Sequence, residues 1–185
     1  MEARKIEYYT IEDIYNLPEG VRAELIEGKL YYMATPALRH QRLLMTLSAE
    51  IYNYIKAKKG PCEVLPSAFA VFLFNDDETY LEPDITVVCD PAKLDEKGCH
   101  GAPDLVIEII SPSSASHDSI RKYALYKEAG VREFWLVDPQ NNIVTVCNFT
   151  GKDYEPTRYG FADPIPVGIF EDLAIDLSEF SQNIA

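Results

Sequence analysis

The longest regular pattern of apolar positions lies between Thr35-Pro36 and Gly60-Pro61, where His40, Leu44, Leu47, Ile51 and Ile55 recur every three or four residues. That spacing predicts an amphipathic helix with one buried stripe. Lys56, Lys58 and Lys59 ahead of Gly60-Pro61 mark its end, with cations at the negative end of the helix dipole. Before it, Thr10 and Asp13 have the spacing of a capping box for a short helix that Leu17-Pro18 stops. Residues 23–27 and 29–33 read as strands on either side of Gly28, a hairpin whose turn uses the positive φ open to glycine.

Beyond Gly60 the pattern changes to short apolar runs. Residues 62–66, 68–74, 85–89, 104–110, 134–138 and 143–149 read as strands. Polar segments at 75–78 and 95–101 separate some of them as turns or loops, and residues 139–142 join the last two into a hairpin. Ser113, Ser114 and Ser116 offer N-caps for a helix of about 13 residues that ends before Gly130. The tail from Gly151 is rich in Tyr, Pro and acidic residues and carries no evident chemistry. At 185 residues, 1–185 is expected to form a single domain with one large core.

The totals narrow the function classes. No apolar run approaches the roughly 20 residues that a membrane-spanning helix needs. The N-terminus, MEARKIEYYT, has no apolar signal-peptide centre. Cys62, Cys89, Cys99 and Cys147 lack CxxC spacing and read as reduced packing residues, so a cytoplasmic location is expected. His40, His100 and His117 form no HxxxH pattern, which argues against zinc; His40 reads as a packed or hydrogen-bonded member of its helix.

The net charge of −13 is the wrong sign for holding nucleic acid by overall electrostatics. It is uneven, however. Residues 76–96 hold eight acids and one lysine, whereas Arg39, Arg42, Lys56, Lys58 and Lys59 face only Glu50 between Thr35 and Gly60. A polyanion could approach that local basic patch, or cations could screen the carboxylates.

One residue breaks the apolar pattern. Strand alternation puts Glu108 on the same side as Val106 and Ile110, with Leu105, Ile107 and Ile109 opposite. An acid inside an apolar strand is costly to bury without a partner, a metal or a chemical task. Asp84 stands 24 residues earlier at the mouth of the preceding apolar run. Lys122 follows Glu108 by 14 residues, on the helix that also carries Asp118 and Tyr126 at four-residue intervals along one face. Two carboxylates and a lysine are the side chains that a metal-dependent phosphodiesterase requires: hard oxygens for Mg²⁺ or Mn²⁺ and a cation near the attacking water or the phosphate. Simpler roles also fit each residue. Asp84 can cap a turn, Glu108 can form a buried ion pair with Lys122, and Lys122 can pair with Asp118 on the helix surface. Tyr126 reads as helix packing, Ser111 and Ser113 as residues that shape the turn, and Trp135 as core.

Glu24 in AELIEGKLYYMATP, Pro83-Asp84, GAPDLVIEIISPSS, the Asp118–Lys122–Tyr126 helix and GVREFWLVDP, in that order from about Val21 to Asp138, resemble the Uma-two family of restriction endonuclease-like proteins, a branch of the PD-(D/E)XK nuclease superfamily. The resemblance implies an α/β restriction-endonuclease-like fold, with a central mixed sheet flanked by helices and an N-terminal β-hairpin. It also implies Mg²⁺-dependent (or Mn²⁺-dependent) cleavage of DNA phosphodiesters. Asp84 matches the superfamily's PD aspartate and Glu108 its second acidic ligand, while Glu24 matches an acid from the N-terminal region that ligates the metal directly or through water. The superfamily's lysine two residues beyond the second acid is absent, because Ile110 stands there. Lys122 matches the position on the next helix to which that role moves in the family. Cleavage of both strands suggests a homodimer with two sites related by a twofold axis. The alternative is a nuclease-like fold without turnover that serves as a binding or assembly module.

Overall fold

The computed structural model describes residues 8–111, 116–151 and 155–181, with the side chains of 116–119 left aside. Ser113 and Ser114, the expected helix caps, therefore lie outside the described residues, as do the side chains of Ser116, His117 and Asp118.

In chain order, α1 (Ile11–Tyr15) leads to the strands β1 (Ala23–Ile26) and β2 (Lys29–Tyr32), then to the long helix α2 (Leu38–Lys58). Three strands follow, β3 (Glu63–Pro66), β4 (Val71–Phe72) and β5 (Ile85–Val88). A single 3₁₀ turn precedes β6 (Leu94–Asp95), β7 (Gly98–His100) and β8 (Leu105–Ile109). The helix α3 (Ser116–Ala129) crosses to β9 (Glu133–Asp138), which turns into β10 (Ile143–Asn148). The tail adds β11 (Thr157–Gly160), β12 (Ile165–Pro166), β13 (Ala174–Ile175) and a final 3₁₀ turn.

The expected elements form for the expected reasons. In α1, the Asp13 carboxylate reaches back to the Thr10 amide at 2.8 Å, as the capping box requires. Glu27 and Gly28 both have positive φ, so β1 and β2 are joined by a two-residue turn whose twist suits a hairpin. The helix α2 ends with Lys59, in the left-handed conformation, as its cap, one residue before Gly60.

A six-stranded mixed sheet in the order β11-β10-β9-β8-β5-β3 forms the centre, confirming the α/β class. Its β8–β9 pair is parallel and the other four pairs are antiparallel. A parallel neighbour cannot be reached by a tight turn, and α3 provides that crossover. The sheet separates two apolar layers. On one face Ile85, Val87, Ile107 and Trp135 pack against Leu43, Leu47 and Ile51 of α2 and against the C-terminal segment. On the other, Val88, Val106 and Phe134 pack against Leu125 and Tyr126 of α3 and Ile26 of the hairpin.

Two expectations are corrected. Residues 95–101 are not simply a polar loop: β6 and β7 pair there, and β7 also pairs with β4. The polarity belongs to the turn, where Asp95 Oδ1 accepts from the amides of Lys97 at 2.7 Å and Gly98 at 3.1 Å. Gly98 is required, since a Cβ there would lie 2.4 Å from the Ala70 carbonyl oxygen. The tail from Gly151 contributes an edge strand to the sheet and buried Phe161, Ile165 and Leu177 to its core.

The second correction concerns the cysteines, since Cys62 and Cys89 form a disulfide. The antiparallel register Glu63↔Val88, extended by one residue, sets them opposite each other, although 27 residues separate them in sequence. With those two bonded, the cysteines no longer support a reducing compartment. Cys99 and Cys147 are free and buried, and burial pushes both thiols up to about 11. Among the described residues no helix is long and apolar enough to cross a membrane.

Candidate active site

The strand register brings the two expected carboxylates together. β5 and β8 are antiparallel with Ile85 opposite Ile107, so extending the pairing by one residue sets Asp84 opposite Glu108. Residues opposite each other share a face, and here it is the face covered by α3 and the hairpin. Asp84 Oδ2 accepts from the Ile109 amide at 2.7 Å and lies 3.2 Å from His40 Nε2. Glu108 Oε1 accepts from Lys122 Nζ at 3.0 Å and from the Tyr126 hydroxyl at 2.7 Å. Lys122 and Tyr126 reach the same oxygen because they lie four residues apart, one turn along α3.

Glu24 enters from the hairpin. Its Oε1 accepts from the Glu82 amide at 3.0 Å, and Lys122 Nζ lies 2.7 Å from its Oε2 and 2.9 Å from its Oε1. Lys122 thus stands between Glu24 and Glu108, with its side chain only 8% exposed. The buried Glu108–Lys122 ion pair, one of the simpler readings of the sequence, is present. It does not exhaust the cluster, because a second carboxylate shares the ammonium and a third lies alongside.

The electrostatics follow from this crowding. Burial pushes the Glu108 carboxyl above its ordinary value; Lys122 pulls it back, and the charges of Glu24 and Asp84 add to the rise. Burial and the adjacent Glu108 hold the Tyr126 phenol well above its usual range, so it acts as a hydrogen-bond donor. At His40 burial opposes the charged form, but the hydrogen bond to Asp84 and the charges of Asp84 and Glu108 outweigh it and raise the pKa.

With its carboxylates ionised, the cluster of Glu24, Asp84, Glu108, Lys122 and His40 is net negative whichever way His40 is protonated. Its donors are hard oxygens, the chemistry that suits Mg²⁺ or Mn²⁺. Among the described residues, the protein donors to Asp84 and Glu108 meet one oxygen of each, which leaves Asp84 Oδ1 and Glu108 Oε2 for a ligand. Those residues hold no ready-made cage of three or more His, Cys, Asp or Glu side chains. Lys122 occupies the ground between Glu24 and Glu108 that a third ligand would share.

Comparison with known proteins identifies the family and the fold. The family model described as "Putative restriction endonuclease" matches residues 7–178. The chain belongs to the Uma2 family. Two Synechocystis sp. (strain PCC 6803) proteins are similar to it. "Uncharacterized protein slr1290" is 30% identical over 114 residues, 62% of this chain and 58% of that protein. "Uncharacterized protein sll1609" is 24% identical over 126 residues, 63% of this chain and 66% of that protein. The matched regions thus span less than two thirds of either relative. Among solved structures, the fold is similar to that of a protein from Anabaena variabilis ATCC 29413 described as "a putative nuclease belonging to DUF820". Its TM-score is 0.75 at 21% identity, covering 93% of this chain and 97% of that one.

All four residues singled out in this Uma2 chain, Glu24, Asp84, Glu108 and Lys122, lie in one cluster. Two further members escape sequence reasoning. Tyr126 reads as packing, yet its hydroxyl bonds Glu108; its four-residue offset from Lys122 was the available signal. His40 reads as a packed or hydrogen-bonded residue, which agrees with its contact to Asp84, but that partner lies 44 residues away and no local pattern reveals it.

Proposed function

We propose that this chain is a metal-dependent endonuclease that hydrolyses DNA phosphodiester bonds. Asp84 and Glu108 hold Mg²⁺ (or Mn²⁺), and Glu24 contributes directly or through water. The carrying observation is the buried Lys122 ammonium held among carboxylates at the end of the sheet, in a member of a family whose model is described as "Putative restriction endonuclease". When bound, the ion would lower the pKa of a coordinated water and polarise the phosphate.

The chain's own residues do the remainder. Lys122, a fixed positive charge in a water-poor site, stabilises the negative charge that develops on the phosphate, or orients the attacking water. Tyr126 and Lys122 fix Glu108 from the α3 side, and the Ile109 amide fixes Asp84 from the strand side. Water adds to phosphorus and the bond to the 3′ oxygen breaks, leaving a 5′-phosphate and a 3′-hydroxyl. Two copies related by a twofold axis would cut both strands.

Plasmid DNA incubated with Mg²⁺ and wild type, Glu108→Ala or Lys122→Ala tests this reading. Nicking by wild type alone, with each variant slowed at least about a hundredfold, is expected from the loss of an electrostatic stabiliser in an enclosed site. Equal cleavage by all three would overturn it. One observation favours a second reading, a binding or assembly module without turnover: Ile110 replaces the strand lysine, and Lys122 is engaged by two carboxylates. Wild type that binds Mn²⁺ and DNA without nicking would establish that reading.

A further inference from the structure

His40 belongs to α2, on the opposite side of the sheet from α3 and Lys122. Its neighbours along the helix, Leu43, Leu44 and Leu47, are buried core residues, and His40 is itself only 8% exposed. A histidine in such a stripe must desolvate two ring nitrogens. Nδ1 gains nothing in return, being buried without a hydrogen-bond partner among the described residues. Nε2 reaches across the end of the sheet to Asp84 Oδ2. Packing alone does not account for this side chain, since an apolar residue would fill the position without stranding a nitrogen.

What the contact achieves is visible at Asp84. The Ile109 amide and His40 Nε2 both meet Oδ2. A single donor would leave the carboxylate free to swing about its bond to Cβ. Two donors, one from the adjacent strand and one from the helical layer beneath, fix its rotation and leave Oδ1 without a protein donor among the described residues. Metal-binding carboxylates depend on outer hydrogen bonds of this kind, which hold the ligating oxygen in place.

We infer that His40 is a positioning residue, which donates from Nε2 to Asp84 Oδ2 and so holds Asp84 Oδ1 in the orientation that receives the divalent cation. This rests on the metal-site reading above and extends it to a residue on the other layer of the fold.

The test is calorimetric titration of the full chain with Mn²⁺, for wild type, His40→Ala and His40→Gln, with the metal-free melting temperature of each. A glutamine amide can donate from close to the place of Nε2, whereas alanine cannot. The expected result is a tenfold or greater loss of Mn²⁺ affinity in His40→Ala, the range found when outer partners of metal ligands are removed. His40→Gln should recover most of the affinity, and the metal-free melting temperatures should not follow that order. Should the alanine variant fail to fold, His40→Leu, which matches its apolar neighbours, takes its place. Equal affinity in wild type and the apolar variant would overturn the positioning role and leave the metal site standing. An equal loss in the glutamine and apolar variants would overturn donation from Nε2. No Mn²⁺ binding by wild type at millimolar concentration would overturn the metal site itself, and the inference with it.

Discussion

Lys122 balances two carboxylates at once, because its ammonium faces Glu24 at 2.7 Å and Glu108 at 3.0 Å in a nearly dry setting. Removing one partner of a buried ion pair leaves the other charge uncompensated, at about 3–5 kcal/mol. Lys122→Met is therefore expected to lower the metal-free stability by that order, read from urea denaturation, and Mn²⁺ should restore part of the loss. A variant as stable as wild type without metal would show that the carboxylates do not need the lysine. Glu133 is a further buried acid with a different task. Its Oε1 accepts from Trp135 Nε1 at 2.6 Å and its Oε2 from the Ile169 amide at 2.8 Å, which ties the C-terminal segment to β9. Glu133→Gln presents an N–H to one of those donors, with an expected cost of about 1–3 kcal/mol. Burial raises the Glu133 carboxyl above its unfolded value. Its contribution to stability is thus fully present below the unfolded pKa and declines as pH rises through the higher folded one. The stability gap between wild type and Glu133→Gln should narrow over that rise, and a gap that widens with pH would contradict the assignment.

Among the elements, β3 lies at the edge of the main sheet and is held to β5 by the Cys62–Cys89 bond. Closing a loop of this length removes roughly 3–4 kcal/mol of unfolded-state freedom. Cys62→Ala with Cys89→Ala should lower the denaturation free energy by about that amount, whereas an unchanged midpoint would show that strand pairing alone secures the edge. The sequence made some elements legible and hid others for physical reasons. The stripe of α2 and the Glu27-Gly28 turn are local patterns, and they appear where the chain predicts them. The strands β6 and β7 span two and three residues, too few for any alternation to register. The cysteine pair and the His40–Asp84 contact depend on strand register and on layer packing, which no spacing along the chain expresses. Glu108 was legible because it breaks an apolar strand, Asp84 and Lys122 because they supply, on the neighbouring strand and helix, the side chains that would accompany it, and Glu24 because of the family resemblance.

For the molecule as a whole, the structure redistributes the basic patch that the sequence suggested. Arg39 bonds Asn142 Oδ1 and the Phe180 carbonyl, and Lys58 pairs with Asp172, so both serve to hold later parts of the chain. Arg42, Lys56 and Lys59 remain exposed along α2 as the local counterweight to a net charge of −13. The same helix that carries them supplies Leu43, Leu47 and Ile51 to the core and His40 to Asp84. Structural upkeep and chemistry therefore share one lever arm. Thinning the core at Leu44, a turn beyond His40, would let α2 settle and carry the imidazole away from Asp84. On the positioning role inferred for His40, Leu44→Ala is expected to weaken Mn²⁺ binding in calorimetry as well as lower the melting temperature, whereas unchanged affinity would separate the packing of α2 from the site.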